Sequence, residues 1–191
     1  DDMVASIAKD AKEKGFEVRI VSHDKDLYQL IDDANSVYLF DPTKKQIINE
    51  AKCIEKYGVT PKQFIDYQAL VGDTADNIPG VKGVGAKTAQ TLIEQFGTLE
   101  NIYANIENID KKRTKELLIE GKENAFLSKQ LVTLKDDCHF ISNIDEFSLP
   151  LENPILKIAS DLESYDMHRI IERVNRNGLN YKTELPKKSE D

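Results

Sequence analysis

The chain has 191 residues, 40% of them hydrophobic and 31% charged, as expected for one soluble globular domain or a domain with an appendage. No apolar run approaches the roughly 18 residues of a membrane span, and Cys53 and Cys138 are too few and too far apart for a disulfide framework or a zinc knuckle, so a reducing cytoplasm is expected. A formal net charge of −8 argues against a simple nucleic-acid binder, although carboxylates gathered around bound cations account for part of it.

The sequence opens Asp1-Asp2-Met3-Val4, with no initiator Met and no signal-peptide pattern, and reads as a fragment of a longer protein. Met3, Val4, Ile7, Ala8 and Ala11 recur at helical spacing, with Gly15 as a stop. Residues 16–21 alternate as a strand that ends in Ser22-His23-Asp24-Lys25-Asp26, and Leu27, Leu30 and Ile31 predict a short helix. Two short strands, 36–40 and 46–48, flank the turn Asp41-Pro42-Thr43-Lys44, and a helix over 50–57 stops at Gly58. Thr60 as N-cap and Pro61 at the first helical position start a helix that runs to about Leu70.

Another helix is predicted from about Lys87 to Phe96, burying Ala89, Leu92, Ile93 and Phe96, with Gly97 beyond it. Thr98 caps the next, which carries Leu99, Ile102, Tyr103 and Ile106, and two more cover 112–119 and 123–134. After Cys138 the pattern is extended and punctuated by Pro150 and Pro154, followed by one last helix over 162–174 and a frayed, charged tail at 187–191. The first third is thus α/β and the middle all-helical, which sets expected boundaries at 1–58, 59–135 and 136–191.

Three acidic groups stand where main elements begin or end: Asp1-Asp2, Asp24-x-Asp26 and Asp73-x-x-Asp76. Open α/β sheets place ligands at the carboxyl ends of their strands, where Asp24 and Asp26 fall. A spacing of two in a turn, or of three at a helix start, turns both side chains toward one cavity. Carboxylates packed together raise one another's pKa, and hard cations such as Mg²⁺ or Mn²⁺ relieve that repulsion. Two such ions about 4 Å apart can activate water and stabilise the leaving oxygen of a phosphodiester. A single Asp-x-Asp is more often a solvated turn or a cap, so the reading requires the fold to bring the groups together.

Gly80-Val81-Lys82-Gly83-Val84-Gly85 follows directly and opens into the helix near Lys87. Glycines permit close backbone approach, and free N–H groups at the helix start favour an anion. Lys82 and Lys87 add positive charge and Thr88 a hydroxyl, a sequence-independent way to hold a DNA backbone. A plain tight turn would also fit. The segment is not a Walker A loop, nor a dinucleotide fingerprint, since a helix rather than a strand precedes it.

The runs Asp24-Lys25-Asp26-Leu27-Tyr28-Gln29-Leu30, Leu70-Val71-Gly72-Asp73-Thr74-Ala75-Asp76-Asn77-Ile78-Pro79-Gly80-Val81 and Gly83-Val84-Gly85-x-Lys87-Thr88-Ala89 resemble, in order and spacing over about residues 1–135, the 5′-nuclease domains of bacterial DNA polymerases I, relatives of the flap endonucleases. The resemblance implies a partial PIN-like α/β core with a mostly parallel sheet, followed by an all-helical helix–three-turn–helix DNA-binding region. It implies that Asp1, Asp2, Asp24, Asp26, Asp73 and Asp76 bind two Mg²⁺ or Mn²⁺ ions, with Asp24, Asp26, Asp73 and Asp76 carrying catalysis. Gly80, Lys82, Gly83, Val84, Gly85, Lys87 and Thr88 would grip the phosphates of nicked or 5′-flapped double-stranded DNA, and the same turn would take K⁺ through backbone carbonyls. Residues 136–191 would lead toward covalently linked polymerase domains.

Two departures matter. The family's acidic residue two positions before the pair matching Asp1-Asp2 is absent, as are the first strand and the basic arch, so the resemblance implies that the fragment alone is poorly active. His23 stands where many relatives have Gly or Ala and reads as packed or solvent-facing, since metal-activated water needs no neighbouring base. A non-catalytic DNA-binding module and an acidic scaffold remain open as alternatives. Lys111-Lys112-Arg113 with Lys115 reads as a solvated face or a supporting DNA contact, and Tyr28, Tyr57, Tyr67 and Tyr103 as packing residues.

Overall fold

Helix α1 (Asp2–Glu13) turns Ala5, Ala8 and Ala11 inward, small side chains that let it lie close to the sheet. It ends at Lys14, and Gly15 takes φ +81°, a conformation that costs glycine little. The computed structural model describes residues 1–138, 147–148 and 154–177. The chain falls into two units, Asp1–Ser142 and Asn143–Asp191.

In the first unit, β1 (Val18–Val21) pairs in parallel with β2 (Val37–Asp41), Val18 opposite Val37, and β2 pairs antiparallel with β3 (Gln46–Ile48), Leu39 opposite Ile48. The strand order among the described residues is β1-β2-β3. β1 is shorter than the alternation predicts, because Phe16 stays 47% exposed and outside the ladder. The short helix expected after Asp26 is a 3₁₀ turn, Asp26–Leu30, with a second at Asp33–Asn35 that the sequence pattern did not reveal.

Several helix ends fall where their punctuation places them, although Ile106, expected in the helix capped by Thr98, lies beyond its end at Ala104 in a 3₁₀ turn, Ile106–Asn108. α2 (Glu50–Tyr57) has Asn49 as N-cap and Gly58 in the left-handed region at its end. α3 (Pro61–Val71) is the central helix, with Pro61 in its first turn and Thr60 N–H donating to Gln63 Oε1 at 3.1 Å. Its Phe64, Ala69 and Leu70 are fully buried, and it packs against α4 (Ala86–Phe96), α7 (Lys122–Val132) and the first 3₁₀ turn. α5 (Leu99–Ala104), capped by Thr98, and α6 (Lys112–Glu120) complete the layer. Rings of Tyr28, Tyr57, Phe64 and Tyr67 form one cluster, with centroids 5.0 Å apart for Tyr28–Tyr57 and 4.8 Å for Tyr57–Phe64, joining the 3₁₀ turn to α2 and α3.

In the second unit, the single helix expected over 162–174 is two, α8 (Ala159–Ser164) and α9 (His168–Asn177). Asp166 takes φ +56°, while Met167 N–H donates to Leu162 O at 2.8 Å and Asp166 N–H to Glu163 O at 3.0 Å. That is a Schellman stop with aspartate where glycine is usual, so the break is invisible to a search for glycine. The extended stretch expected after Cys138 and the tail at 187–191 lie largely outside the described residues.

Candidate metal centre

At the carboxyl end of β1 the chain turns through a ladder of side-chain acceptors. Asp24 N–H donates to Ser22 Oγ at 3.0 Å, and Asp26 N–H donates to Asp24 Oδ1 at 2.9 Å. Such Asx-type bonds reverse the chain tightly without a regular turn. They leave Asp24 exposed and direct Asp26 toward α3, where Gln68 Nε2 donates to Asp26 Oδ1 at 2.5 Å. Gln68 is only 3% exposed, and its own Oε1 has no hydrogen-bond partner among the described residues. Gln29 closes the turn from below, donating to Asp26 O at 2.8 Å and Val132 O at 2.9 Å.

The second acidic pair lies in a turn, not at the helix start its spacing suggested. α3 stops at Gly72 (φ +74°), and Asp73 and Ile78 exchange backbone hydrogen bonds of 2.9 and 2.7 Å across a short loop. Asp73 Oδ1 accepts from Ala75 N–H at 3.0 Å and Asn77 takes φ +57°. Asp73 is 7% exposed, whereas Asp76 sits exposed on the loop.

One carboxylate oxygen each of Asp26, Asp73 and Asp76 lies within 4.8 Å of the others. Asp1, Asp2 and Asp24 are not in this trio. Asp1 lies at the N-cap of α1, and Asp2 Oδ1 accepts from Lys135 N–H at 2.9 Å. Lys25 Nζ is ion-paired with Asp73 Oδ2. Burial pushes Asp73 up, but the Lys25 ammonium, the Ala75 N–H and Asp76 together hold it below the usual carboxylate range. Asp76 is pushed up by its hydrogen bond to Asp73 and by repulsion from that charge. The rise at Asp76 reflects the crowding of negative charge, and the fall at Asp73 reflects the ammonium and the hydrogen-bond donors that face it.

The loop leads straight into the glycine turn. Gly80 (φ +59°) donates its N–H to Ser128 Oγ at 2.9 Å, and Val81 N–H donates to Leu70 O at 2.8 Å. Val81 and Val84 are buried anchors, Gly83 takes φ +87°, and Gly85 is the N-cap of α4. Lys82 and Lys87 are exposed and Thr88 is half-buried. Lys82 and Gly83 share a cleft with Arg113, and Lys87 and Thr88 share another with Lys111. Lys115 of the basic run is ion-paired with Glu107 at 2.5 Å. His23 lies exposed with Nε2 3.1 Å from Thr43 Oγ1.

Two family models match consecutive stretches: "5'-3' exonuclease, N-terminal resolvase-like domain" over residues 1–58 and "5'-3' exonuclease, C-terminal SAM fold" over residues 59–154. The chain belongs to the 5′-3′ exonuclease family. Among this family's members, DNA polymerase I of Bacillus caldotenax is 41% identical over 153 residues, covering 78% of this chain and 17% of that protein. A 5′-3′ exonuclease of Buchnera aphidicola is 42% identical over 168 residues, covering 85% of this chain and 57% of that protein. The chain therefore spans well under two thirds of these relatives. A solved T5 5′-exonuclease with bound zinc superposes with a TM-score of 0.61 at 28% identity, over 69% of this chain and 48% of that one. A T5 flap endonuclease described as a pseudo-enzyme-product complex with DNA and metal ions gives 0.62 at 29% identity, with the same two coverages. The exonuclease fold, an α/β part followed by a helical part, is the one the sequence pattern predicts.

Gln68 and Lys25 were not singled out as site residues from sequence. Gln68 carried a faint signal, a polar residue among the apolar neighbours Tyr67, Ala69 and Leu70, one turn from Phe64.

Proposed function

We propose that this chain is part of a divalent-metal-dependent 5′-3′ exonuclease or flap endonuclease, a module of a DNA polymerase I that hydrolyses phosphodiesters of nicked or 5′-flapped double-stranded DNA. The observation that carries the reading is the Asp26–Asp73–Asp76 trio, joined through Gly80 to the glycine turn and the start of α4. The trio fits a hard cation. It offers only oxygen ligands, and its buried member, Asp73 Oδ2, is held by the charge of the Lys25 ammonium. Mg²⁺ or Mn²⁺ would supply activation of water and stabilisation of the leaving oxygen.

The chain's own residues have separable tasks. Gln68 fixes the Asp26 carboxylate, and the loop bond from Ala75 fixes that of Asp73. Asp24 holds the turn through its bond to Asp26 N–H, and we include it with Asp1 and Asp2 as ligands of a wider, two-ion set. Gly80, Lys82, Gly83, Val84, Gly85, Lys87 and Thr88 form the phosphate grip, with K⁺ as a candidate occupant of the turn. We further propose the division 1–58, 59–135 and 136–191, the last leading toward polymerase domains in a cytoplasmic parent protein. Among the described residues no helix is long and apolar enough to cross a membrane.

Asp26→Ala and Asp73→Ala in the parent protein test this reading. Cleavage of a nicked duplex with Mg²⁺ should fall by about a hundredfold or more, since even supporting groups of a metal site matter by 10–100-fold. Unchanged cleavage would leave a module that only binds DNA.

A further inference from the structure

Lys25 stands between Asp24 and Asp26 in sequence, yet its ammonium reaches across to Asp73 Oδ2 on a different loop. The two partners are unequal. The Lys25 side chain is 39% exposed and that of Asp73 is 5% exposed. Asp73 is locked by Gly72, by the paired bonds to Ile78 and by Ala75 N–H, whereas Lys25 is held at the ammonium end of a flexible four-carbon stem. Three carboxylate oxygens within 4.8 Å repel unless a positive charge lies among them. Among the described residues, Lys25 is the cation ion-paired to that trio. Lysine suits an exchangeable post, because it is a compact point charge that grips by attraction and not by a planar fork.

We propose that Lys25 is a resident counter-ion, which occupies Asp73 in the metal-free protein and yields that oxygen when a divalent cation enters. The inference rests on the metal-site reading above. Its consequence is competition. Occupancy of Asp73 by Lys25 lowers the apparent affinity for the cation, in proportion to how rarely the oxygen is free, while it keeps the acidic loop from springing apart when empty.

Mn²⁺ titration of the 191-residue chain by calorimetry, for wild type and Lys25→Met, tests it. Removing the competitor should tighten the dissociation constant by about fivefold, as for an open form present one-fifth of the time. Lys44→Met, which removes an equal charge from an exposed turn, should leave the constant unchanged. The metal-free Lys25→Met protein should also melt lower than wild type, and Mn²⁺ should raise its melting point further than it raises that of wild type. A second measurement needs no variant: the rate of reductive methylation of Lys25 in the wild type, followed by mass spectrometry, should rise several-fold when Mg²⁺ replaces EDTA. An unchanged or weaker constant for Lys25→Met, or Lys25 equally protected with and without Mg²⁺, overturns the proposal while wild-type binding leaves the metal site standing. If wild type binds no Mn²⁺ at all, the metal-site reading fails and the counter-ion role with it.

Discussion

Asp32 illustrates how one side chain can organise a turn and carry a pH dependence. It caps the second 3₁₀ turn, with Oδ1 accepting from Asn35 N–H at 3.3 Å and Oδ2 from Asn35 Nδ2 at 2.7 Å, and Lys12 Nζ lies 3.5 Å from Oδ2. Burial pushes its pKa up, but Asn35 and Lys12 together pull it below the ordinary value. A carboxyl that ionises more readily when folded adds stability above its unfolded value of about 4, and that stability fades as pH falls through the lowered folded value. Asp32→Asn keeps the shape and removes the charge. It should lower the melting temperature by about 2 °C at pH 7, since the pair is partly solvated and surface pairs are worth at most about 1 kcal/mol. The gap should close at acid pH, once the pH has fallen through the lowered folded value. An equal gap at both pH values in differential scanning calorimetry would assign the effect to the turn's shape and not to its charge. The acidic residues themselves were legible in sequence, because Asp-x-Asp after a strand is a local pattern. Gln68 was not, because its meaning depends on which face of α3 meets the end of β1, and that is fixed only by packing.

At the scale of elements, punctuation was the reliable signal. Gly58, Thr60-Pro61, Gly97 and Thr98 each act on the backbone next to them, so the end of α2, the start of α3, the end of α4 and the start of α5 could be read from sequence. What could not be read was irregular backbone stabilised by side chains: the second 3₁₀ turn at Asp33–Asn35, the acidic loop whose spacing suggests a helix start, and the stop at Asp166. The acidic loop is closed by two glycines standing back to back. A methyl built on Gly80 would fall on Gly72 N, with Gly72 Cα and Val71 C both at 2.7 Å, and Gly80 has φ +59°. Gly80→Ala should therefore cost about 2 kcal/mol or more, combining left-handed backbone strain with a backbone clash that cannot relax by rotating a side chain. A urea titration checks this; a loss under about 0.5 kcal/mol would mean that the loop ends part without penalty.

Across the first unit as a whole, α3 is the element on which the others depend. It faces the strand end with Gln68, the glycine turn with Leu70 and the aromatic cluster with Phe64, and its buried Asp66 is ion-paired with Lys129 of α7 at 2.7 Å. Phe64 is fully buried at the centre of three other rings, so Phe64→Ala should cost about 3–5 kcal/mol, a large part of the 5–15 kcal/mol typical of a domain. The urea midpoint should fall with the slope unchanged; a fall under 1 kcal/mol would show that the cluster closes over the gap. The negative net charge, which argued against a nucleic-acid partner, is a property of the sum, whereas the acidic trio and the lysines of the glycine turn are local and adjacent.

The abutment of Gly72 and Gly80 reaches further than stability. With no slack between them, the acidic loop cannot slide along the chain relative to the turn that follows. On the function proposed above, a strand resting on that turn would then meet the carboxylates at one fixed offset. Two hydrogen-for-methyl choices, eight positions apart in the sequence, set that offset.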